Sequence, residues 1–208
     1  MVPKVVDHDR RRDELADAAL SLVARVGMRG VTTRAVADEA GWSTGVLSHY
    51  FDNIGEVLVA ALRRAAELQG RALREGRSRT DRDALGRLQL ILESVLPLDE
   101  RRVALTRIFL VFYADASPAI REEIVDYLDT WRRFVMRTLA AGEQDGSIRT
   151  TRDHTELAID LVALTDGLAM HAVIDAKVLA SLQAEQDPGL RVIRDVLGDH
   201  RDTTGVAP

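Results

Sequence analysis

Residues 31–51 read VTTRAVADEAGWSTGVLSHYF, and this stretch holds two short helical segments on either side of a turn. Thr32 and Ser43 each stand just before a segment, where a side-chain oxygen can cap a helix N-terminus. Gly41 suits the turn between them because glycine accepts a positive φ angle at little cost. The spacing therefore predicts a helix-turn-helix. The two predicted short helices cover 33–40 and 44–50.

A small internal contact must hold the two short helices at a fixed angle, because helices of this length are rarely stable alone. Apolar residues of modest size are available for it at Val36, Ala37, Val46 and Leu47. Trp42 is expected to pack under the turn or against the preceding helix, and ordinary core packing is the simplest account of it. The preceding helix is predicted over about 10–27, with an apolar stripe and a closing glycine. The stripe consists of Leu15, Ala19, Leu22 and Val26.

A three-helix unit of this kind places its second short helix in the major groove of DNA, so its outward side chains should be polar or small. The predicted DNA-contacting residues are Thr32, Thr33, Arg34, Ser43, Thr44, Gly45, Val46, Ser48, His49 and Tyr50. The two threonines lie at a helix N-terminus, where free amides favour a phosphate, and simple capping explains them equally well. Arg34 is long enough to reach a guanine. The predicted partner is double-stranded DNA.

After residue 54 the helical segments lengthen, and alternating β-type patterns are nearly absent, which predicts an all-α protein of about nine helices. The remaining helices are predicted at about 55–77, 82–96, 100–115, 118–141, 153–182 and 189–200. Asp81 is a possible cap, Pro97 ends a helix, Pro118 opens one, and the tail 202–208 is expected to fray. We predict a DNA-binding domain at 1–54 and a helical-bundle domain at 55–208.

The composition of the 208 residues is that of a folded globular protein, with 46% hydrophobic and 29% charged residues. The absence of cysteine excludes disulfides, thiol nucleophiles and thiolate zinc sites. No secretory or membrane-spanning segment is apparent, so a cytoplasmic protein without a membrane partner is expected. A net charge of −5 excludes a globally basic DNA-binding protein but permits a local basic patch.

Two alternatives to DNA binding belong to other classes of function. Residues Gly41 to Gly45 match the G-x-S-x-G elbow of serine hydrolases, with Ser43 as nucleophile, but that elbow needs a preceding strand and VADEA predicts a helix. A helical ligand carrier without DNA activity is the second alternative. Neither HExxH nor H-x3-H spacing joins the five histidines, so no metal, cofactor or catalysis is expected. The histidines are His8, His49, His154, His171 and His200.

If the helical bundle at 55–208 binds a small molecule, its pocket should be apolar, with a few polar groups, and should lie between the long helices. Its candidate lining residues are Phe109, Phe112, Tyr113, Trp131, Phe134, Met136, Met170 and His171, each of which ordinary core packing also explains. Two adjacent apolar stripes in 157–173 predict a dimer interface beside the core. The stripes are Leu157, Leu161, Leu164, Leu168, Ala172 and Ala158, Val162, Thr165, Ala169, Val173. Leu190, Ile193 and Leu197 of the last helix are expected to join the interface.

The block VTTRAVADEAGWSTGVLSHYFDN followed by EVL resembles the N-terminal signature of the TetR family of bacterial repressors, over about residues 10–60. STGVLSHYF and the later ALTDGLAMH are most similar to the BetI-like subgroup. The resemblance implies a homodimer in which the helical bundle at 55–208 is a regulatory domain for ligand binding and dimerisation. It also implies that double-stranded operator DNA is released when a small-molecule effector binds. The BetI-like similarity suggests a quaternary ammonium effector, which would need an aromatic cage.

The chain departs from the family pattern just after the Tyr-Phe pair. Ile54 stands where the family usually has a lysine, and Gly55 replaces a common acidic residue, which removes an expected phosphate contact. Residues 1–50 contain seven basic and seven acidic residues, so counterion release should be modest. The run Arg10–Arg12 could compensate by touching the DNA backbone, although a solvated helix face is the simpler interpretation.

Overall fold

The structure is a computed structural model that describes residues 5–77, 82–115 and 117–198. Within those ranges it contains ten α-helices and one 3-10 turn, and no β-strand. The helices are α1 Val5–Val26, α2 Thr33–Ala40, α3 Thr44–Tyr50, α4 Ile54–Arg77, α5 Ala84–Glu93, α6 Glu100–Tyr113, α7 Pro118–Asp145, α8 His154–Ile174, α9 Ala176–Ala184 and α10 Pro188–Leu197; the turn is Met28–Gly30. The all-α prediction is confirmed.

The helix-turn-helix has the predicted bounds, since α2 and α3 begin and end where the caps and the glycine indicated. The helix before it begins five residues earlier than predicted, at Val5, and ends before Gly27, whose φ is 71°. Three residues of its predicted stripe are buried, whereas Val26 in the last turn is 52% exposed.

The predicted helix over 153–182 is two helices, which is why the described residues hold ten helices and not about nine. Asp175 separates them because its backbone is extended, with φ −111° and ψ 110°. Its carboxylate accepts a hydrogen bond from the Lys177 N–H at 2.8 Å and so caps α9. The apolar pattern continues on both sides of Asp175, so the spacing of apolar residues does not reveal where one helix ends and the next begins.

Other helix ends differ by a few residues. The N-cap of α5 is Asp83, whose Oδ1 accepts from the Gly86 N–H at 2.8 Å, while the predicted cap Asp81 lies outside the described residues. Helix α7 runs four residues beyond its predicted end and closes at Gly146, with φ 76°. His200 and the predicted tail 202–208 also lie outside the described residues.

The chain divides into two compact units, and these do not coincide with the two domains expected from sequence. The first unit contains the chain up to Leu68 together with Arg107–Tyr127. Its core includes one face of α1, the inner residues of the helix-turn-helix and the start of α4. The fully buried residues there include Leu15, Ala19, Val36, Ala37, Leu47, Phe51, Val57 and Ala61.

The second unit contains Gln69–Thr106 and the chain from Leu128 onward. Its main core joins α5, α7, α8 and α10 through large aliphatic side chains. The cluster includes Leu88, Leu92, Val135, Leu139, Leu157, Leu161, Val192 and Ile193. A smaller cluster of Leu96, Ala172 and Leu182 ties α8 to α9.

Candidate DNA-binding surface and regulatory region

The turn between α2 and α3 is built by side-chain caps and a left-handed glycine. Thr32 Oγ1 accepts from the Ala35 N–H at 3.2 Å, and Ser43 Oγ accepts from the Val46 N–H at 3.3 Å, as the sequence predicts. Gly41 has φ 72°, a conformation that a side chain would strain. The Trp42 N–H donates to the Ala37 carbonyl at 2.8 Å, which closes the turn.

The same local geometry turns most of the predicted DNA-contacting side chains toward solvent. Thr32, Arg34, Ser43, Thr44, Gly45, Ser48 and His49 are exposed, and Thr33, Val46 and Tyr50 are partly buried. The Arg34 side chain is 88% exposed, with only a loose 3.8 Å approach to Asp38. Hydroxyl, imidazole and guanidinium groups of this kind can hydrogen-bond to phosphates and base edges.

The structure adds His8 to this surface, a residue that sequence reasoning assigned no role. The His8 ring lies 4.6 Å from the Tyr50 ring and 6.2 Å from the His49 ring, measured between centroids. The predicted start of α1 at about residue 10 excluded His8 from the helix. The observed extension of α1 brings it beside the end of α3.

The three arginines of the run near the start of α1 have different surroundings. Arg10 pairs with Glu14, one turn along the helix, at 3.0 Å. The guanidinium carbon of Arg11 lies 4.2 Å from the centre of the Trp42 ring, and that of Arg12 lies 4.3 Å from the Phe51 ring. Arg12 also donates a hydrogen bond to the Tyr50 carbonyl. Trp42 thus contacts the first helix through a stacked guanidinium.

The departures at Ile54 and Gly55 belong to a reciprocal cap at the start of α4. The Glu56 N–H donates to Asn53 Oδ1 at 3.1 Å, and the Asp52 N–H donates to Glu56 Oε2 at 3.0 Å. A Cβ atom on Gly55 would lie 2.9 Å from Asn53 Oδ1, so glycine leaves room for the capping amide. Ile54 is partly buried at this N-terminus.

An ion pair holds α2 against α1. Glu39 accepts hydrogen bonds from Arg25, at 2.7 Å, and from the Ser21 hydroxyl, at 3.0 Å. These bonds lower the pKa of Glu39 from its ordinary value, with Arg25 as the largest cause. The charge therefore stabilises the packing of the helix-turn-helix on its supporting helix.

The arrangement around Ser43 is not that of a hydrolase. Ser43 follows helix α2 and a turn, without the strand that a nucleophile elbow requires, and its Oγ accepts a capping bond. Among the residues that the structure describes, no group of three or more His, Asp or Glu side chains is placed to hold a metal ion.

The candidate effector contacts are divided between the two units. In the first unit, Phe109 and Phe112 are buried. The Phe109 ring stacks on the Tyr127 ring with 5.0 Å between centroids, and its centroid lies 6.3 Å from that of Tyr113. Tyr127 is absent from the predicted lining residues, because its position in the sequence does not indicate a contact with Phe109. In the second, Trp131, Phe134 and Met136 pack against the core, Met170 is partly buried and His171 is exposed. A surface cavity of about 560 Å³ near α10 has a charged lining, which includes Glu185, Arg191 and Arg194, and none of these candidates.

Several residues predicted for the dimer interface belong to the hydrophobic core of this chain. Leu157, Leu161 and Ile193 are buried, while Leu164, Leu168, Leu190 and Leu197 are partly buried against the same cluster. The second stripe also turns inward, with Ala158, Val162, Thr165 and Ala169 buried. Both stripes can face inward because the core contacts α8 over a wide arc.

A third side of α8, outside both predicted stripes, carries exposed apolar residues. Ile159 is 45% exposed and Ile174 is 75% exposed, with the exposed Ala163 between them. Length and composition would let α8 span a membrane, but its buried side is that of a core helix. The exposed side is a candidate surface for a partner subunit.

Comparison with family models gives two matches along the chain. The model described as bacterial regulatory proteins of the tetR family matches residues 15–61, which contain the helix-turn-helix. The model described as the C-terminal part of BetI-type transcriptional repressors matches residues 84–188.

Individual proteins are similar over most of the chain. The transcriptional regulator PksA of Bacillus subtilis is 32% identical over 178 residues, which cover 84% of both chains. BetI of Escherichia coli K12 is 27% identical over 194 residues, 88% of this chain and 92% of BetI. A transcriptional regulator from Rhodococcus superposes with a TM-score of 0.72 at 26% identity, covering 88% of this chain and 96% of its own. A Saccharomonospora viridis regulator solved with choline has a TM-score of 0.67 at 27% identity, covering 92% and 95%.

Proposed function

Because this chain belongs to the TetR family of bacterial transcriptional regulators and carries the BetI-type C-terminal region, we propose that it is a cytoplasmic, homodimeric repressor of a palindromic operator. As a member of the family it is a ligand-responsive DNA-binding regulator and not an enzyme. The proposal extends this to release from the operator by a small-molecule effector. DNA binding is assigned to 1–54, and ligand binding and dimerisation to 55–208.

The observation that carries the proposal is the pair of capped short helices with polar outward residues. Helix α3 buries Leu47 and exposes Thr44, Ser48 and His49, so its outward side is available to base edges in the major groove. The N-terminus of α2 offers free amides to a phosphate. Arg34, close to that N-terminus, extends into solvent and can reach a guanine.

The experiment begins by selecting DNA from a random-sequence duplex library with the wild-type protein, and then measures affinity by gel shift. If Arg34 binds a base, Arg34→Ala should weaken binding to the selected duplex by about 1–3 kcal/mol and relax the preference at one position. Arg133→Ala on α7 removes the same charge outside the proposed surface and serves as the control. Unchanged affinity for both Arg34→Ala and the double variant Thr44→Ala, His49→Ala would contradict the proposed surface.

Helix α4 is the proposed link between effector and DNA because it directly follows the helix-turn-helix. Arg64 pairs with Asp17 of α1 through two hydrogen bonds of 2.6 and 3.1 Å. Its neighbour Arg63 pairs with Glu123 of α7 at 2.7 Å. The bond to Asp17 raises the Arg64 pKa above its ordinary value. A shift of α7 can therefore pull on α4, and α4 on the supporting helix of the DNA-binding domain.

Release is proposed to work through the spacing of the two DNA-binding domains of the dimer. In each domain α3 is the proposed recognition helix, and the two copies of α3 must meet successive major grooves about 34–36 Å apart, or a multiple of that distance. A ligand that binds more tightly to a dimer with a different spacing lowers the affinity for the operator. A coupling free energy of about 1–3 kcal/mol between the two sites changes operator affinity by roughly 5–150-fold.

The proposed effector is an apolar or amphipathic small molecule, and choline is the first compound to test because it is bound in the Saccharomonospora viridis protein. The expected result is a fall in operator affinity when the effector is added. Either Tyr113→Ala or Trp131→Ala should blunt that fall while leaving operator binding without effector intact. Folded variants that keep the full response would move the ligand site elsewhere, and a bound ligand without effect on operator affinity would contradict release.

A further inference from the structure

Helix α3 is held at both ends by consecutive arginines of α1. At its start, Arg11 stacks on Trp42, the residue just before the N-cap. At its end, Arg12 stacks on Phe51 and donates to the carbonyl of Tyr50, the last residue of the helix. Phe51 is 2% exposed, so the second contact joins the guanidinium to a fixed point of the core.

The end of α3 benefits from such a contact because the helix is short. The helix has seven residues, too few to be stable without tertiary support. Its last carbonyls lack partners within the helix, and among them the Leu47 carbonyl receives the Phe51 N–H at 3.0 Å. The Arg12 guanidinium serves the Tyr50 carbonyl and also places a positive charge at the negative end of the helix dipole.

We infer that Arg12, assisted by Arg11, is a positioning residue that sets the orientation of the recognition helix, and not a phosphate contact. The inference rests on the proposed DNA-binding function. The two arginines direct their guanidinium groups onto aromatic rings of their own chain, whereas Arg10 lies exposed beside Glu14. Lysine cannot replace Arg12 in this role because it lacks the planar group that stacks and donates together.

The two roles predict different effects of charge-conserving and charge-removing substitutions. A phosphate contact tolerates Arg12→Lys, and Arg12→Ala then lowers the salt dependence of binding by about one unit of slope. If Arg12 is a positioning residue, both Arg12→Lys and Arg12→Ala weaken specific binding. Non-specific binding and the salt slope then stay near the wild-type values, because the phosphate contacts are unchanged.

The test measures binding of the full-length protein to the duplex selected by the wild type and to an unrelated duplex, across a salt series. For Arg12→Lys we expect affinity for the selected duplex to fall by about tenfold or more. Affinity for the unrelated duplex should stay within about twofold, since it depends on charge alone. Arg10→Lys and Arg10→Ala are matched controls from the same run and should keep the wild-type ratio of the two affinities.

Amide hydrogen exchange of the free protein gives a second measurement that does not depend on DNA. In Arg12→Lys, exchange should accelerate at the amides of α3 and Phe51 while those in the middle of α1 keep their protection. A lysine variant with the wild-type affinity ratio, or with unchanged exchange in α3, would overturn the inference. If the wild-type protein selects no sequence from the library, the proposed function fails instead.

Discussion

At the scale of single residues, Gly45 is a glycine that the protein itself does not require. It is the second residue of α3, its φ is not positive, and an added Cβ would lie at an ordinary contact distance of 3.7 Å from Ser43 Oγ. Glycine inside a helix costs about 0.5–1 kcal/mol relative to alanine. A glycine that weakens its own helix without a steric reason is consistent with close approach of DNA to the α3 backbone.

Replacing Gly45 with alanine should therefore separate stability from DNA binding. The free energy of unfolding should rise by up to about 0.5–1 kcal/mol because alanine favours the helix. Affinity for the selected operator should fall, since the new methyl group occupies space that DNA needs. Chemical denaturation and gel shift measure the two effects. A variant that gains stability and keeps full operator affinity would remove Gly45 from the contact surface.

The local part of the site could be predicted from sequence, and the distant part could not. Thr32 and Ser43 act as caps because capping depends on residues three positions away, which the sequence displays directly. The contact between Arg12 and Tyr50 spans 38 positions. It exists only because α1 packs across the helix-turn-helix at a particular rotation, and no periodicity in the sequence specifies that rotation.

At the scale of helices, the Glu39 contact makes the packing of α2 on α1 sensitive to pH. The pKa of Glu39 is lowered in the folded protein, so its charge stabilises the fold above the unfolded-state pKa, and this stability is lost as the pH falls through the folded-state pKa. Glu39→Gln should lower the melting temperature slightly at neutral pH and have little effect in strongly acidic solution.

Thermal unfolding of the wild type and Glu39→Gln across a pH series measures this difference. Glu122→Gln, which changes an exposed glutamate of α7, is the control and should have little effect at any pH. The same loss of stability from Glu39→Gln at every pH would show that the carboxylate charge is not the cause.

The existence of the helices could be predicted from apolar spacing, whereas several helix ends could not, and two of them show why. The break at Asp175 occurs inside an apolar run, where the side-chain cap of α9 outweighs the continuing pattern. Helix α7 continues past its predicted end at 141 to Asp145, where a left-handed glycine at position 146 ends it, and Gly142 stays helical. The carbonyl of Gly142 also accepts the Ile148 N–H at 3.0 Å.

At the scale of the whole molecule, the exposed apolar side of α8 predicts where two copies meet. The double variant Ile159→Glu, Ile174→Glu should weaken the dimer because charges would be buried at the interface. Sedimentation at micromolar concentration should then show the 23.0 kDa protomer, whereas the wild type shows twice that mass. Val125→Glu, at a valine of α7 that is 50% exposed, is the control. A wild type that sediments only as the protomer would contradict the proposed dimer.

The sequence showed that α8 has more apolar surface than one face can use, but it could not show which side is spare. Leu161 and Val162 belong to different stripes, and both are buried. The core wraps around α8 from several neighbours, so the spare side depends on where α5, α7 and α10 lie. Those positions follow from tertiary packing and not from the periodicity of one helix.

The residues that anchor α3 differ from those that it exposes to solvent. Leu47 supplies the buried anchor of the helix, while Thr44, Ser48 and His49 are exposed. Substitutions at exposed positions usually change stability by no more than about 0.5 kcal/mol. If α3 contacts base edges as proposed, single substitutions on this helix can give the two copies of a duplicated gene different operators, while the rest of the protein and its response to ligand are inherited unchanged.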